Sequence, residues 1–164
     1  MGLRPPEPES SIVQLIGKIL MTLAIGVFTV IPPLVDLGTP THVFHPEWTP
    51  HARVHMVWLL GMASSIGLLA IYLLWIRQRE PAFNVNLAFV LGLCAYGGFF
   101  LAAATRGLYD GAMTDSGGLE PGPFGFDPNT FSFTIATAAL ISGWLLCRGG
   151  SRPSESELVD SPTV

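Results

Sequence analysis

The chain carries four histidines, and all of them fall within one stretch of fourteen residues: His42, His45, His51 and His55. Asp36 lies six residues before the first of them. Imidazole nitrogen binds divalent transition metals such as zinc, copper and iron, and it also exchanges protons near neutral pH. This segment is therefore where we predict a metal site, a small-ligand site or acid–base chemistry.

The last two histidines have the spacing of neighbours on one helix face. Thr49 suits an N-cap and Pro50 suits the first helical position, so a helix that begins there places His51 and His55 one turn apart. The same stripe continues through three further residues: Trp58, Met62 and Ser65. An imidazole at the membrane boundary is costly unless it faces the bundle interior or a polar cavity, so the direction of His55 matters.

Two imidazoles four residues apart, with a third from the preceding loop, form a ligand set that zinc, copper or iron accepts. Three prolines stiffen that loop, which can fold Asp36, His42 and His45 over the start of the helix. The pattern H-x2-H-x5-H-x3-H matches no established metal motif. The four histidines are the candidate metal ligands. Five residues are candidates for an outer shell or a lid: Glu47, Trp48, Arg53, Tyr109 and Asp110.

Two other hypotheses account for the same residues. In one, Asp36, His51 and His55 carry acid–base catalysis in a small isomerase or oxidoreductase that acts on a lipophilic substrate, with Asp110 as another acidic partner. In the other, the histidines and Arg53 are purely structural: they hydrogen-bond loop carbonyls and cap the bundle, and Trp48 is an ordinary interface anchor. Haem is disfavoured, because axial histidines usually come from two facing helices and the other three apolar runs contain none.

The composition predicts which elements hold these residues. Hydrophobic residues make up 49% of the 164 residues and charged residues 12%, about half the charge of a soluble domain. Four apolar runs approach the ~20 residues that cross a hydrocarbon core. They cover residues 12–31, 56–76, 86–105 and 128–147. The prediction is an all-α bundle of four transmembrane helices, with no basic cluster of the kind that binds nucleic acid.

Local signals predict where the spans begin and end. Ser11 with Gln14 fits a capping box at the first start, and Pro32-Pro33 is expected to end that span. Asp127-Pro128 supplies the cap and first residue of the fourth span. Pairs of small residues four apart favour close helix packing. They are Gly61 with Ser65, Ala63 with Gly67, and Gly98 with Ala102.

The basic residues predict the orientation of the spans. Six of the eight lie in the N-terminal segment, the loop after the second span and the tail: Arg4, Lys18, Arg77, Arg79, Arg148 and Arg152. The loops on the other side contain the remaining two basic residues, Arg53 and Arg106. The positive-inside rule then places segment 1–11 and a disordered tail, 148–164, in the cytoplasm, on either side of a membrane domain over 12–147. The membrane we expect is the plasma membrane.

The run from Asp36 to His55 resembles the signature of a family of small four-helix integral membrane proteins without assigned function. The matching residues are Asp36, Thr41-His42, Pro46, Trp48, Pro50-His51-Ala52-Arg53 and His55. The resemblance implies the four-span fold and no particular activity.

The function that we expect is that of a multi-pass membrane protein with a histidine-rich binding site on its non-cytoplasmic face. The alternative is the small membrane enzyme described above. The partners that we expect are the lipid bilayer and a lipophilic small molecule, with a second copy or another membrane protein as a further partner. A transporter or channel ranks third, because the spans lack the intramembrane charges that ion and proton pathways usually need.

Overall fold

The computed structural model describes residues 8–40, 42–113 and 125–149, and its regular structure is helical. The helices are α1 (Pro8–Gly38), α2 (Pro50–Trp75), α3 (Pro81–Thr105) and α4 (Pro128–Gly149), with a short 3-10 turn, Arg106–Leu108, after α3. All four long helices are long and apolar enough to cross a membrane. The predicted fold class is confirmed. The expectations for residues 1–7 and for the tail from 150 concern residues outside these ranges.

The prediction that Pro32-Pro33 ends the first helix is wrong, because α1 continues through both prolines to Gly38. A proline inside a helix cannot donate to the carbonyl four residues earlier, which for Pro33 is that of Thr29. The Ser64 hydroxyl of α2 donates to this carbonyl at 3.0 Å. A neighbouring helix thus replaces the missing bond, and the extra turns of α1 carry Asp36 to the end of the bundle.

The starts of the helices follow local chemistry in two cases and depart from it in two. The Thr49 side chain accepts from Ala52 N at 3.2 Å, as predicted for a cap on α2. Asp127 Oδ1 accepts from the backbone N–H groups at 129 and 130, at 2.9 and 3.1 Å, which confirms the predicted cap of α4. The capping box at Ser11 is wrong, because α1 is already helical from Pro8. Helix α3 begins at Pro81, five residues before the predicted apolar run.

The helices form a ring in which each one packs against the next, and α1 packs most extensively against α4. Hydrogen bonds between neighbouring helices show antiparallel packing. Along α1 and α2, Thr22 meets Trp75 and the later Thr29 meets the earlier Ser64. Asn86, near the start of α3, meets Trp144, near the end of α4. The buried core includes Met21, Ile25, Leu74, Tyr96 and Leu140. The predicted antiparallel bundle is therefore present.

Small residues set the distance between helices at two places. Gly17 and Gly143 bring α1 and α4 so close that a Cβ on either would lie 2.6 Å from the other's carbonyl oxygen. Gly67 of α2 lies directly against the Thr29 side chain. By contrast, Gly61 and Gly98 have no described atom within 4 Å of the position a Cβ would take. Of the predicted glycine pairs, only the one with Gly67 serves packing between helices of this chain.

The outward faces of the helices are apolar. Leu23, Leu68, Leu101 and Leu145, one from each long helix, are all more than half exposed. A surface of this kind would be unfavourable in water, because contiguous exposed apolar area of this extent drives association. It is compatible with a bilayer, whose acyl chains solvate such side chains.

Candidate functional site

The end of the bundle where α1 ends and α2 begins carries all four histidines, and we call it the histidine end. Here Asp36 is 9% exposed, and its Oδ1 lies 3.2 Å from Nδ1 of His42. The Asp36 carbonyl also accepts from the backbone of Val43 at 3.3 Å. The loop is thereby fastened to the last turn of α1, and a carboxylate and an imidazole form a partly buried pair.

The loop between α1 and α2 is held on its other side by Arg53. Its Nη2 donates to the carbonyl of His45 at 2.9 Å, and its Nε is buried without a hydrogen-bond partner in the described part of the chain. Nδ1 of His45 accepts from the backbone N–H of Glu47 at 3.2 Å. Arg53 thus fastens the loop to α2 through a loop carbonyl, whereas the His45 ring accepts from a backbone N–H within the loop.

His51 and His55 lie together on α2, as their spacing predicted. Their Nε2 atoms are 3.0 Å apart, and their rings meet edge to face with centroids separated by 4.5 Å. The Trp58 ring lies 5.9 Å from that of His55, at a tilt of 40°. Both histidines are exposed, and so are Trp58 (65%) and Met62 (46%). This stripe therefore faces away from the bundle, toward lipid, water or a partner, and not toward an interior cavity.

The two pairs do not join into one larger site. Among the described residues, no three His, Cys, Asp or Glu side chains converge on a position where a metal ion could bind. The loop therefore does not deliver His42 or His45 as a third ligand to the pair on α2. Nor does Asp36 join His51 and His55, which is what the catalytic hypothesis required; its imidazole partner is His42.

The remaining candidates for an outer shell or a lid are more scattered. Asp110 is exposed, and no ion pair joins it to a histidine within the described ranges. The Tyr109 hydroxyl donates to the carbonyl of Ala102 at 2.6 Å, so this residue folds back on its own helix. The Trp48 ring lies edge-on to His42, with centroids 6.3 Å apart. Glu47 is exposed and contributes its backbone N–H.

A second polar cluster, which sequence reasoning missed, lies at the opposite end of the bundle. Lys18, Asn86 and Arg148 line a cleft of about 750 Å³ between α1, α3 and α4. These residues lie far apart in the sequence, so no local motif reveals them. The available signals were single polar residues, each at the edge of an otherwise apolar run.

Comparison of the chain with protein-family models, with curated proteins and with solved structures gave no match in any of the three. The family resemblance of the segment from Asp36 to His55 stays a prediction.

Proposed function

We propose that the chain is a membrane-spanning binding protein that takes up a divalent transition metal ion at its histidine end, with His51 and His55 as the protein ligands. The observation that carries this proposal is the 3.0 Å separation of their two Nε2 atoms on an exposed helix face. No acidic residue neutralises this pair among the described ion pairs. The pair thus offers two exposed imidazole nitrogens to a metal ion.

The separation of the two nitrogens suits chelation. Zinc–imidazole bonds of about 2.0–2.1 Å place two ligands of one ion roughly 2.9–3.4 Å apart, for right-angled to tetrahedral geometry. The observed 3.0 Å falls in that range. The distance between the two nitrogens therefore needs little change when an ion binds between the two rings. Zinc, copper and iron accept such nitrogen ligands, whereas magnesium and calcium prefer oxygen.

The remaining coordination positions would be filled from outside the described pair. Water is the simplest source, and a second copy of the chain could supply another pair, because the stripe with Trp58 and Met62 faces outward. The positive-inside distribution supports a histidine end on the non-cytoplasmic face and both termini in the cytoplasm. We propose the plasma membrane as the membrane that the chain spans. Metal would then arrive from the periplasmic or extracellular side.

The test is a metal titration of the full-length protein in detergent with Zn²⁺ and Cu²⁺. We expect His51→Ala and His55→Ala each to weaken binding by more than about 10- to 100-fold, because even the loss of an outer-shell partner has an effect of that size. His42→Ala is the matched control, since it removes an imidazole from the same end without touching the pair. Binding retained in both α2 variants, or lost equally in the control, would contradict the proposal.

The second candidate is an enzyme that acts on a lipophilic substrate, and the Asp36–His42 pair is the observation that favours it. A carboxylate that is 9% exposed and 3.2 Å from an imidazole can orient that ring for proton transfer. His42 would then take the role that the sequence suggested for His51 and His55.

Solvent extraction and mass spectrometry of the purified protein test the enzyme hypothesis. We expect a lipophilic molecule to copurify with the wild type and to be lost from Asp36→Asn and His42→Gln, while His51→Ala retains it. If no molecule other than bulk phospholipid is found in any of the four proteins, the enzyme hypothesis is wrong. Loss from His51→Ala as well would move the site away from the Asp36–His42 pair.

A further inference from the structure

The cleft at the end opposite the histidines has a lining suited to an anion. It lies between the first half of α1, the start of α3 and the last turn of α4, and its volume is about 750 Å³. Ligand sites in proteins commonly fall in the range of roughly 300–1,000 Å³. Two of the lining residues are cations, Lys18 and Arg148, and none of the described lining residues is acidic. We call this feature the basic cleft.

Both cations of the basic cleft are positioned by tryptophan rings. Lys18 Nζ lies 5.7 Å from the ring centroid of Trp75, and the Arg148 guanidinium lies 4.8 Å from that of Trp144. In the described part of the chain, neither cation forms an ion pair with a carboxylate. A cation–π contact orients a cation without neutralising it. Two positive charges are therefore held at one cleft.

Two uncharged amides, Gln14 and Asn86, also line the basic cleft, and Asn86 is oriented as a hydrogen-bond donor. Its Oδ1 accepts from the indole N–H of Trp144 at 2.8 Å, so its Nδ2 group is left to donate. Trp144 is in turn stacked on Phe89, with centroids 4.4 Å apart and planes within 9°. Ala82 in the first turn of α3 also lines the cleft. That turn adds backbone N–H groups and the positive end of the helix dipole.

The acidic residue that precedes this helix start in the sequence is paired with an arginine. Glu80 immediately precedes α3, and its carboxylate lies 3.7 Å from Arg77 Nη2. The described donors of the basic cleft include the Lys18 ammonium, the Arg148 guanidinium, the Asn86 amide and the first turn of α3. This set matches the oxygens of a phosphate group, which accept several hydrogen bonds and carry negative charge.

We propose that the basic cleft binds the phosphate-bearing headgroup of an anionic phospholipid. Two observations favour a lipid over a phosphate from water. First, the cleft is also lined by Val85 and Leu145, which provide an apolar wall for an acyl chain. Second, Lys18 and Asn86 lie inside apolar spans, within a few turns of their ends, which is the depth at which headgroups meet acyl chains. This site is independent of the proposed metal site, which lies at the other end of the bundle.

Native mass spectrometry of the full-length protein tests this proposal, with phosphatidylglycerol and phosphatidylcholine of identical acyl chains as probes. We expect tighter binding of phosphatidylglycerol. Lys18→Gln and Arg148→Gln should each weaken it about fivefold, which is the usual effect of one basic residue on anionic-lipid binding. The most informative variant is Asn86→Asp. Its carboxylate can still accept the hydrogen bond from Trp144, but its negative charge repels the phosphate. This variant should weaken the binding of phosphatidylglycerol by at least about fivefold.

The matched control is Arg79→Gln, which removes a positive charge from the same end of the bundle but not from the basic cleft. It should change binding by less than about twofold. Lys18→Arg keeps the charge and should restore binding, which separates loss of the site from loss of folding. Equal affinity for the two lipids, or equal weakening by the control, would overturn the proposal. So would displacement of phosphatidylglycerol by millimolar inorganic phosphate, which would assign the cleft to a water-soluble phosphate.

Discussion

Gly143→Leu is expected to prevent the chain from forming its four-helix bundle, whereas Gly98→Leu is expected to leave the bundle intact. At Gly143 a Cβ atom would lie 2.6 Å from the carbonyl oxygen of Gly17 and 3.0 Å from the backbone nitrogen of Met21. Backbone atoms cannot rotate aside as a side chain can, so α1 and α4 must separate. Because overpacking of a core already costs about 1–3 kcal/mol, we expect a loss of more than about 3 kcal/mol here.

The comparison of the two leucine variants isolates packing from composition. Both replace a glycine by leucine within an apolar helix, and both raise helix propensity by a similar amount. Gly98 has no described atom within 4 Å of a Cβ, so the new side chain there projects outward. Far-UV circular dichroism during titration with a denaturing detergent gives the midpoint of unfolding. Equal midpoints for the two variants would show that α1 and α4 do not pack through Gly17 and Gly143.

Asn84→Ala is expected to destabilise the bundle by about 2–3 kcal/mol, although Asn84 lies outside every site proposed above. The side chain is 1% exposed, and it joins the loop between α2 and α3 at three points. Its Nδ2 donates to the carbonyls of Arg77 and Arg79 at 2.6 and 2.7 Å, and its Oδ1 accepts from Arg77 Nη1 at 2.8 Å. Alanine would leave two loop carbonyls and a guanidinium without these partners.

Gln78→Ala is the control for this prediction. Gln78 belongs to the same loop, is exposed, and donates one hydrogen bond to the carbonyl of Trp75 at 2.7 Å. Water can replace that bond, so we expect a change of less than about 0.5 kcal/mol. The same unfolding titration measures both variants. Ordinary surface substitutions change the free energy of unfolding by less than about 0.5 kcal/mol. If the free energies of unfolding of Asn84→Ala and Gln78→Ala differ by no more than that, the loop does not depend on the asparagine.

The two proposed sites lie at opposite ends of the bundle and share no residue. Effects of substitutions at distant sites with no shared partner usually add. His55→Ala should therefore leave lipid binding at the basic cleft unchanged, and Asn86→Asp should leave metal binding unchanged. The two sites thus serve as folding controls for each other, since a variant that loses one activity and keeps the other has kept the bundle.

Features that depend on neighbouring residues were readable from the sequence. The four spans follow from apolar runs long enough to cross a bilayer, and the caps at Thr49 and Asp127 follow from side chains that bond amides two or three residues ahead. The meeting of His51 and His55 is of the same kind, because one helical turn brings them together. Each of these interactions joins residues within about one turn of the same helix, so it forms largely independently of the rest of the fold.

Only the tertiary structure decided the features that need a partner from another helix. Helix α1 continues past Pro33 because the Ser64 hydroxyl of α2 donates a hydrogen bond to the carbonyl of Thr29. No sequence pattern near the prolines predicts this bond. Packing likewise decided that His55 faces outward, and that Asn86 and Arg148 meet at one cleft. The physical reason is that an apolar run determines where a helix lies in the membrane. Its rotation and its neighbours are set by close contacts such as that between Gly17 and Gly143.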